Sequence, residues 1–400
     1  MGKLSAQQNS IEDFNGLAQH TGHSASLGIR ERAISTYAFF LYFTGAQTGP
    51  IFYAYPVRFL VVTGSIGIVA SVFLFSVSKG LPPNVSIIAV TPKVNAFLEL
   101  YQYLLSFGVL GGISASLLFN PSISAVGHWF YRKRALATGV ACTAGGIGGV
   151  VFPLIILYIA PRLGFGWALR IVSLVNVAAG ITTSCLLRKR LPPNKKAGAS
   201  VDFKSLSEPR FASTALATFL IEFAVFISYT YICSHAIHAG LDRRTAYLSN
   251  VLLNTGAVPG RALPGYIADR FGSFNTMCIT ALACVATILA LWYTAGTNTA
   301  QVISFAPLFG FWSGAAISLT PVCIGQVCRT EDYGKRSGTA FFLASFGTLI
   351  GVPIAGVILE KNNGSYNGLI IFAGVLYLAA LVAFIVARGL STGWRLTVLF

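Results

Sequence analysis

Charge is what this chain has least of. Only 10% of its 400 residues are Asp, Glu, Lys or Arg, against about 25% in a soluble domain. No soluble surface can be assembled from so few charges. Acids are the scarcest, 12 Asp and Glu against 28 Lys and Arg, for a formal charge of +16. The seven cysteines form no CxxC pair, so neither a zinc ribbon nor a dithiol motif is present, and buried apolar packing is their expected role. His235 and His238 stand three apart beside Cys233, but no further ligands follow at metal-binding spacing, and no metal is expected. The run Gly145, Gly146, Gly148 and Gly149 is followed by no Lys-Ser/Thr, so it is not a phosphate-binding loop. No Ser/His/Asp arrangement or carboxylate pair stands out, which argues against an enzyme. The first 35 residues carry Glu12, Asp13 and Glu31 and lack a basic-then-apolar leader.

What the chain has instead is apolar residues, 54% of the total with 30 Phe, gathered in blocks of about 20, the length that crosses a bilayer as a helix. The fold class is therefore all-α, a polytopic membrane protein. Eleven spans are predicted: 36–55, 57–78, 98–124, 135–160, 167–187, 211–234, 245–267, 274–295, 300–325, 338–358 and 369–390. They divide the chain into a polar head (1–35), an N-terminal helical bundle of five spans (36–187), a linker (188–210), a C-terminal bundle of six (211–390) and a short tail (391–400).

The linker holds Arg188, Lys189, Arg190, Lys195, Lys196, Lys204 and Arg210. With it placed in the cytoplasm, alternation puts most remaining basic residues there too, as the positive-inside rule requires. That rule accounts for the net charge, and a nucleic-acid partner is rejected. The lipid bilayer is the expected partner and the plasma membrane the expected location. The sequons at Asn84 and Asn363 then fall in outside loops, as expected for glycosylation sites. A faint repeat relates Gly49–Pro56 to Gly265–Gly272, and paired halves are how secondary transporters are built.

RALATGVACTAGGIGGVVFPLII (134–156), GFGWALR (164–170) and PGRALPGYIADRFGSFN (259–275) resemble the major facilitator superfamily, and within it the fungal monocarboxylate-transporter-like branch. The resemblance implies twelve spans in two bundles, with the first expected to be the one lacking here, and an insertion at Leu81–Phe97. It also implies a substrate-binding arginine at Arg261 and a gating loop through Gly265, Asp269, Arg270 and Gly272. The animal members carry an aspartate four residues before that arginine, where this chain has Ala257.

An ionisable group inside a span is costly to bury and so is a functional candidate. Arg261 suits an anion anchor because guanidinium binds carboxylate through a planar fork. A structural arginine that snorkels is the alternative. Glu222 inside its span is able to take up a proton once desolvated, or to pair with a nearby donor for packing. Glu99 lies near an interface, where snorkelling explains it. Asp269 at a helix end is placed to interact with a neighbouring helix N-terminus. The implied activity is secondary transport of a small organic anion such as a monocarboxylate by alternating access, with no cofactor beyond a coupling proton. Two other readings stay open from the sequence: efflux of a larger, amphiphilic fungal metabolite, and a non-transporting membrane protein.

Overall fold

The computed structural model describes residues 32–77, 101–130, 132–188, 190, 201–296, 298–329 and 332–393. Among them there is no strand, as expected where a bilayer leaves backbone groups only their own helix to bond. The helices are α1 (32–43), α2 (Gly45–Ala54), α3 (Val57–Val77), α4 (Tyr101–Trp129), α5 (Arg134–Leu163) and α6 (Phe165–Leu186) in the first half. The second half has α7 (Pro209–His238), α8 (Arg243–Phe271), α9 (Ser273–Ala295), α10 (Thr299–Gln326), α11 (Tyr333–Lys361) and α12 (Asn367–Thr392). Asn84, Glu99 and most of the polar head lie outside the described residues.

Among the described residues, nine helices are long and apolar enough to cross a membrane. The other two predicted spans differ for identifiable reasons. Span 36–55 divides at Thr44 into α1 and α2, neither of which reaches membrane length alone. Span 245–267 lies within α8, which carries Asn250, Asn254, Thr255 and Arg261 and is flanked by α5 and α10. A helix packed between two others needs no apolar perimeter.

The contacts repeat across the two halves. Pairs α2–α4, α3–α4 and α3–α6 recur as α8–α10, α9–α10 and α9–α12, and across the halves α2 packs on α11 as α8 packs on α5. Gly49 and Gly265 make the corresponding close approaches. Gly49 faces the Gly334 carbonyl at the start of α11, and Gly265 faces the Ala135 carbonyl at the start of α5, where a Cβ would come to 2.6 Å. Helix α7 packs against α8, α10, α11 and α12 and is the most enclosed of the long helices. It has no counterpart in the first half among the described residues.

One seam is built from backbone. Gly256 and Gly260 of α8 face the carbonyls of Pro307 and Phe311 on α10, while Gly310 and Gly314 of α10 face Leu253 and Ala257 on α8. Two small-xxx-small pairs interdigitate, so the helices meet at backbone distance. This seam sets the depth and rotation of Arg261, one residue beyond Gly260.

Candidate functional site

Arg261 is 8% exposed. Its Nη1 donates to the Cys142 carbonyl of α5 at 2.7 Å, and its Nε is buried without a hydrogen-bond partner. The glycine run of α5 makes this approach feasible. A Cβ at Gly145 would come within 2.5 Å of Nη1, while Gly146 faces Val258 and Gly149 faces Asn254. Gly145, Gly146 and Gly149 thus lie on the face of α5 that receives α8. Ala257 is fully buried against Gly314, and no carboxylate stands there to neutralise the arginine.

Glu222, 2% exposed, lies on α7, which packs against α8. Its Oε2 accepts from the Tyr42 hydroxyl of α1 at 2.9 Å. Glu222 and Arg261 lie on packed helices but form no ion pair with one another. Tyr229, one side of which meets Ser313 Oγ at 3.2 Å, lies beside Arg261. The structure therefore brings together the two predicted groups, Arg261 and Glu222, and adds Tyr42 and the Cys142 carbonyl, which sequence reasoning missed. Tyr42 had no signal beyond being one of 16 tyrosines, and a backbone carbonyl has none at all.

At the linker end, Asp269 crosses between the halves. Its Oδ1 accepts from the Ala135 amide at 3.0 Å and its Oδ2 from the Leu136 amide at 2.9 Å. The carboxylate thereby caps the N-terminus of α5, satisfying two amides that have no partner within their own helix. Arg134, the first residue of α5, lies over the Tyr333 ring at 4.4 Å and reaches the Gly325 carbonyl at 3.5 Å. Asp269 and Arg270 are not a pair. Arg270 turns back over Tyr266, 4.5 Å from its ring. Gly272 ends α8 at φ 89°, a left-handed conformation that glycine tolerates without strain.

Asn363 is exposed at φ 52° in the turn after α11. The imidazoles of His235 and His238 pack against Tyr366, and His235 also lies edge-on to Trp292.

With this geometry in place, similarity to known proteins becomes informative. Residues 13–328 match the profile of the Major Facilitator Superfamily. The chain belongs to that superfamily. It is 33% identical over 362 residues to the MFS transporter asaE of Aspergillus flavus, covering 90% of this chain and 77% of that protein. It is 31% identical over 319 residues to the riboflavin transporter MCH5 of Saccharomyces cerevisiae, covering 74% of this chain and 61% of that one. The crystal structure of the human organic anion transporter MFSD10 superposes with a TM-score of 0.67 at 16% identity, over 88% of this chain and 83% of that one. At that identity the likeness speaks for the fold. The facilitator chain is thus a multi-pass membrane transporter rather than an enzyme.

The Asp269 cap has a direct test. Asp269→Ala removes both acceptors, and loss of a helix cap costs about 1 to 2 kcal/mol. The linker end of the facilitator should then part about 10-fold more often. Alkylation of buried Cys142 by N-ethylmaleimide, followed by peptide mass spectrometry, should accelerate by that factor. Fully buried Cys284 and Cys323 serve as the internal reference. An unchanged rate at Cys142 would mean that Asp269 does not hold the two halves together.

Proposed function

We propose that the chain is a secondary transporter of a small organic anion of the monocarboxylate class, moved together with a proton by alternating access. One observation carries the reading: Arg261 is buried in a span, with Nη1 on the Cys142 carbonyl and the Tyr229 hydroxyl beside it, no carboxylate paired to it and its Nε–H unspent. A buried cation of this kind is costly unless compensated, and an arriving carboxylate compensates it through a bidentate fork. Glu222 on the adjacent helix is the group that takes up the proton. With the basic linker in the cytoplasm, as the positive-inside rule favours, the Asp269 cap lies on the cytoplasmic side in this reading.

The test is uptake of radiolabelled lactate, pyruvate and benzoate into proteoliposomes holding the purified full chain, with and without an inward proton gradient. Concentration-dependent uptake that the gradient accelerates is the expected result. Absence of saturable flux for every acid, with the protein folded, would sink the reading. Glu222→Gln should leave carboxylate affinity within about twofold and abolish the acceleration by the gradient, because the group that titrates has gone. Retained acceleration in this variant would assign the proton to another group.

A further inference from the structure

Glu222 and Arg261 are opposite charges on packed helices in a buried region, yet they are not paired. Opposite charges buried on packed helices attract where the surroundings are poor in water, so the groups that hold each of them decide whether they pair. Each is held by a group from the first half of the chain. Arg261 is drawn to the Cys142 carbonyl of α5, and Glu222 accepts from the Tyr42 hydroxyl of α1. The Tyr42 ring has little freedom. It is 6% exposed, stacked on Phe341 at 5.1 Å between centroids and edge-on to Phe226 at 6.0 Å. Its hydroxyl is consequently a fixed donor rather than an opportunistic one.

We propose that Tyr42 is a positioning residue that holds Glu222 off Arg261 and so keeps the guanidinium available to an anion. Without the hydroxyl, Glu222 is left as a buried carboxylate lacking its donor, and Arg261 is the cation on the neighbouring helix that can satisfy it. The C-terminal half would then close its own ion pair and occupy the anchor. The proposal rests on Arg261 as the anion anchor, and it adds that the two halves of the chain must be in contact at Tyr42 for that anchor to stay open.

Tyr42→Phe is the informative variant, since it keeps the ring and its stacking and removes only the donor. The probe is phenylglyoxal, a dicarbonyl that condenses with unpaired guanidinium groups, applied to the full chain in lipid nanodiscs with Arg261 modification followed by peptide mass spectrometry. Relative to the wild-type chain, Tyr42→Phe should slow modification of Arg261 at least about fivefold. Glu222→Gln should leave the rate unchanged or raise it, and Tyr42→Phe combined with Glu222→Gln should restore the wild-type rate. Rescue by the second substitution is the signature, because a merely structural defect at Tyr42 would persist when Glu222 is neutralised. Equal rates in wild type and Tyr42→Phe, or a double variant as slow as the single one, would overturn the proposal. The readout involves no transported acid. Failure of every carboxylate in the flux assay alongside this labelling pattern would discard the substrate class and leave the role of Tyr42 standing.

Discussion

Arg261→Ala should lower carboxylate uptake by about 100-fold. Truncating one partner of a buried, hydrogen-bonded charge pair costs about 2 to 5 kcal/mol, and each 1.4 kcal/mol is a factor of 10 in binding. The loss should appear chiefly as weakened affinity, because the proposed anchor role makes the guanidinium the group that neutralises the bound anion. Arg261→Lys should recover only part of the activity, remaining about 10-fold below wild type. A point ammonium keeps the charge but cannot offer two parallel N–H bonds or reach the Cys142 carbonyl in the same geometry. Initial rates of uptake in proteoliposomes, with size-exclusion profiles as a check on folding, decide it. Wild-type rate and affinity in Arg261→Ala would make the arginine structural.

The second large effect concerns the seam beneath that arginine. In Gly260→Val the new Cβ would clash with the Phe311 carbonyl. A backbone atom cannot swing aside as a flexible side chain can. Overpacking in a tight core costs about 1 to 3 kcal/mol and occasionally more, and a backbone clash belongs at the upper end. The expected result is a loss of about 3 kcal/mol, seen as a fall of several degrees in the unfolding midpoint in detergent. Gly148→Ala is the control. A Cβ there meets nothing closer than 3.7 Å, and the midpoint should hold. If Gly260→Val and Gly148→Ala melt together, the two helices are not in backbone contact.

The legible parts of this molecule are those in which a residue contradicts its surroundings. Arg261 and Glu222 stand out because each is ionisable within an apolar run, and Asp269 because it lies in a recognisable Gly-Tyr-Ile-Ala-Asp-Arg-Phe-Gly motif, which is expected as a gating loop but forms the last turns of α8 up to Gly272. Their partners do not stand out. Tyr42 looks like any other aromatic in a chain rich in them, and the amides of Ala135 and Leu136 or the carbonyl of Cys142 belong to backbone, which every residue possesses. The spans were legible from their apolar lengths to within a few residues. The division at Thr44 was not, since Gly45 beside it is one glycine among 41. The glycines were visible as a feature, but whether they face a phosphate, a lipid or another helix depends on contacts between α5 and α8 that lie more than 100 residues apart in sequence.

Arg261 and Asp269 share α8, separated by eight residues, about 12 Å along the axis of a helix that rises 1.5 Å per residue. The glycine seam clamps the part of that helix around Arg261 to α10 at backbone distance, so α8 cannot bend or slide there without carrying α10 with it. The helix accordingly grips α5 at two depths, by a guanidinium on the Cys142 carbonyl and by a carboxylate on the Ala135 and Leu136 amides, with Pro264 between them. If an anion draws Arg261 off the Cys142 carbonyl, as proposed, one of the two grips between the halves is released and the Asp269 cap is left to hold α8 to α5 alone.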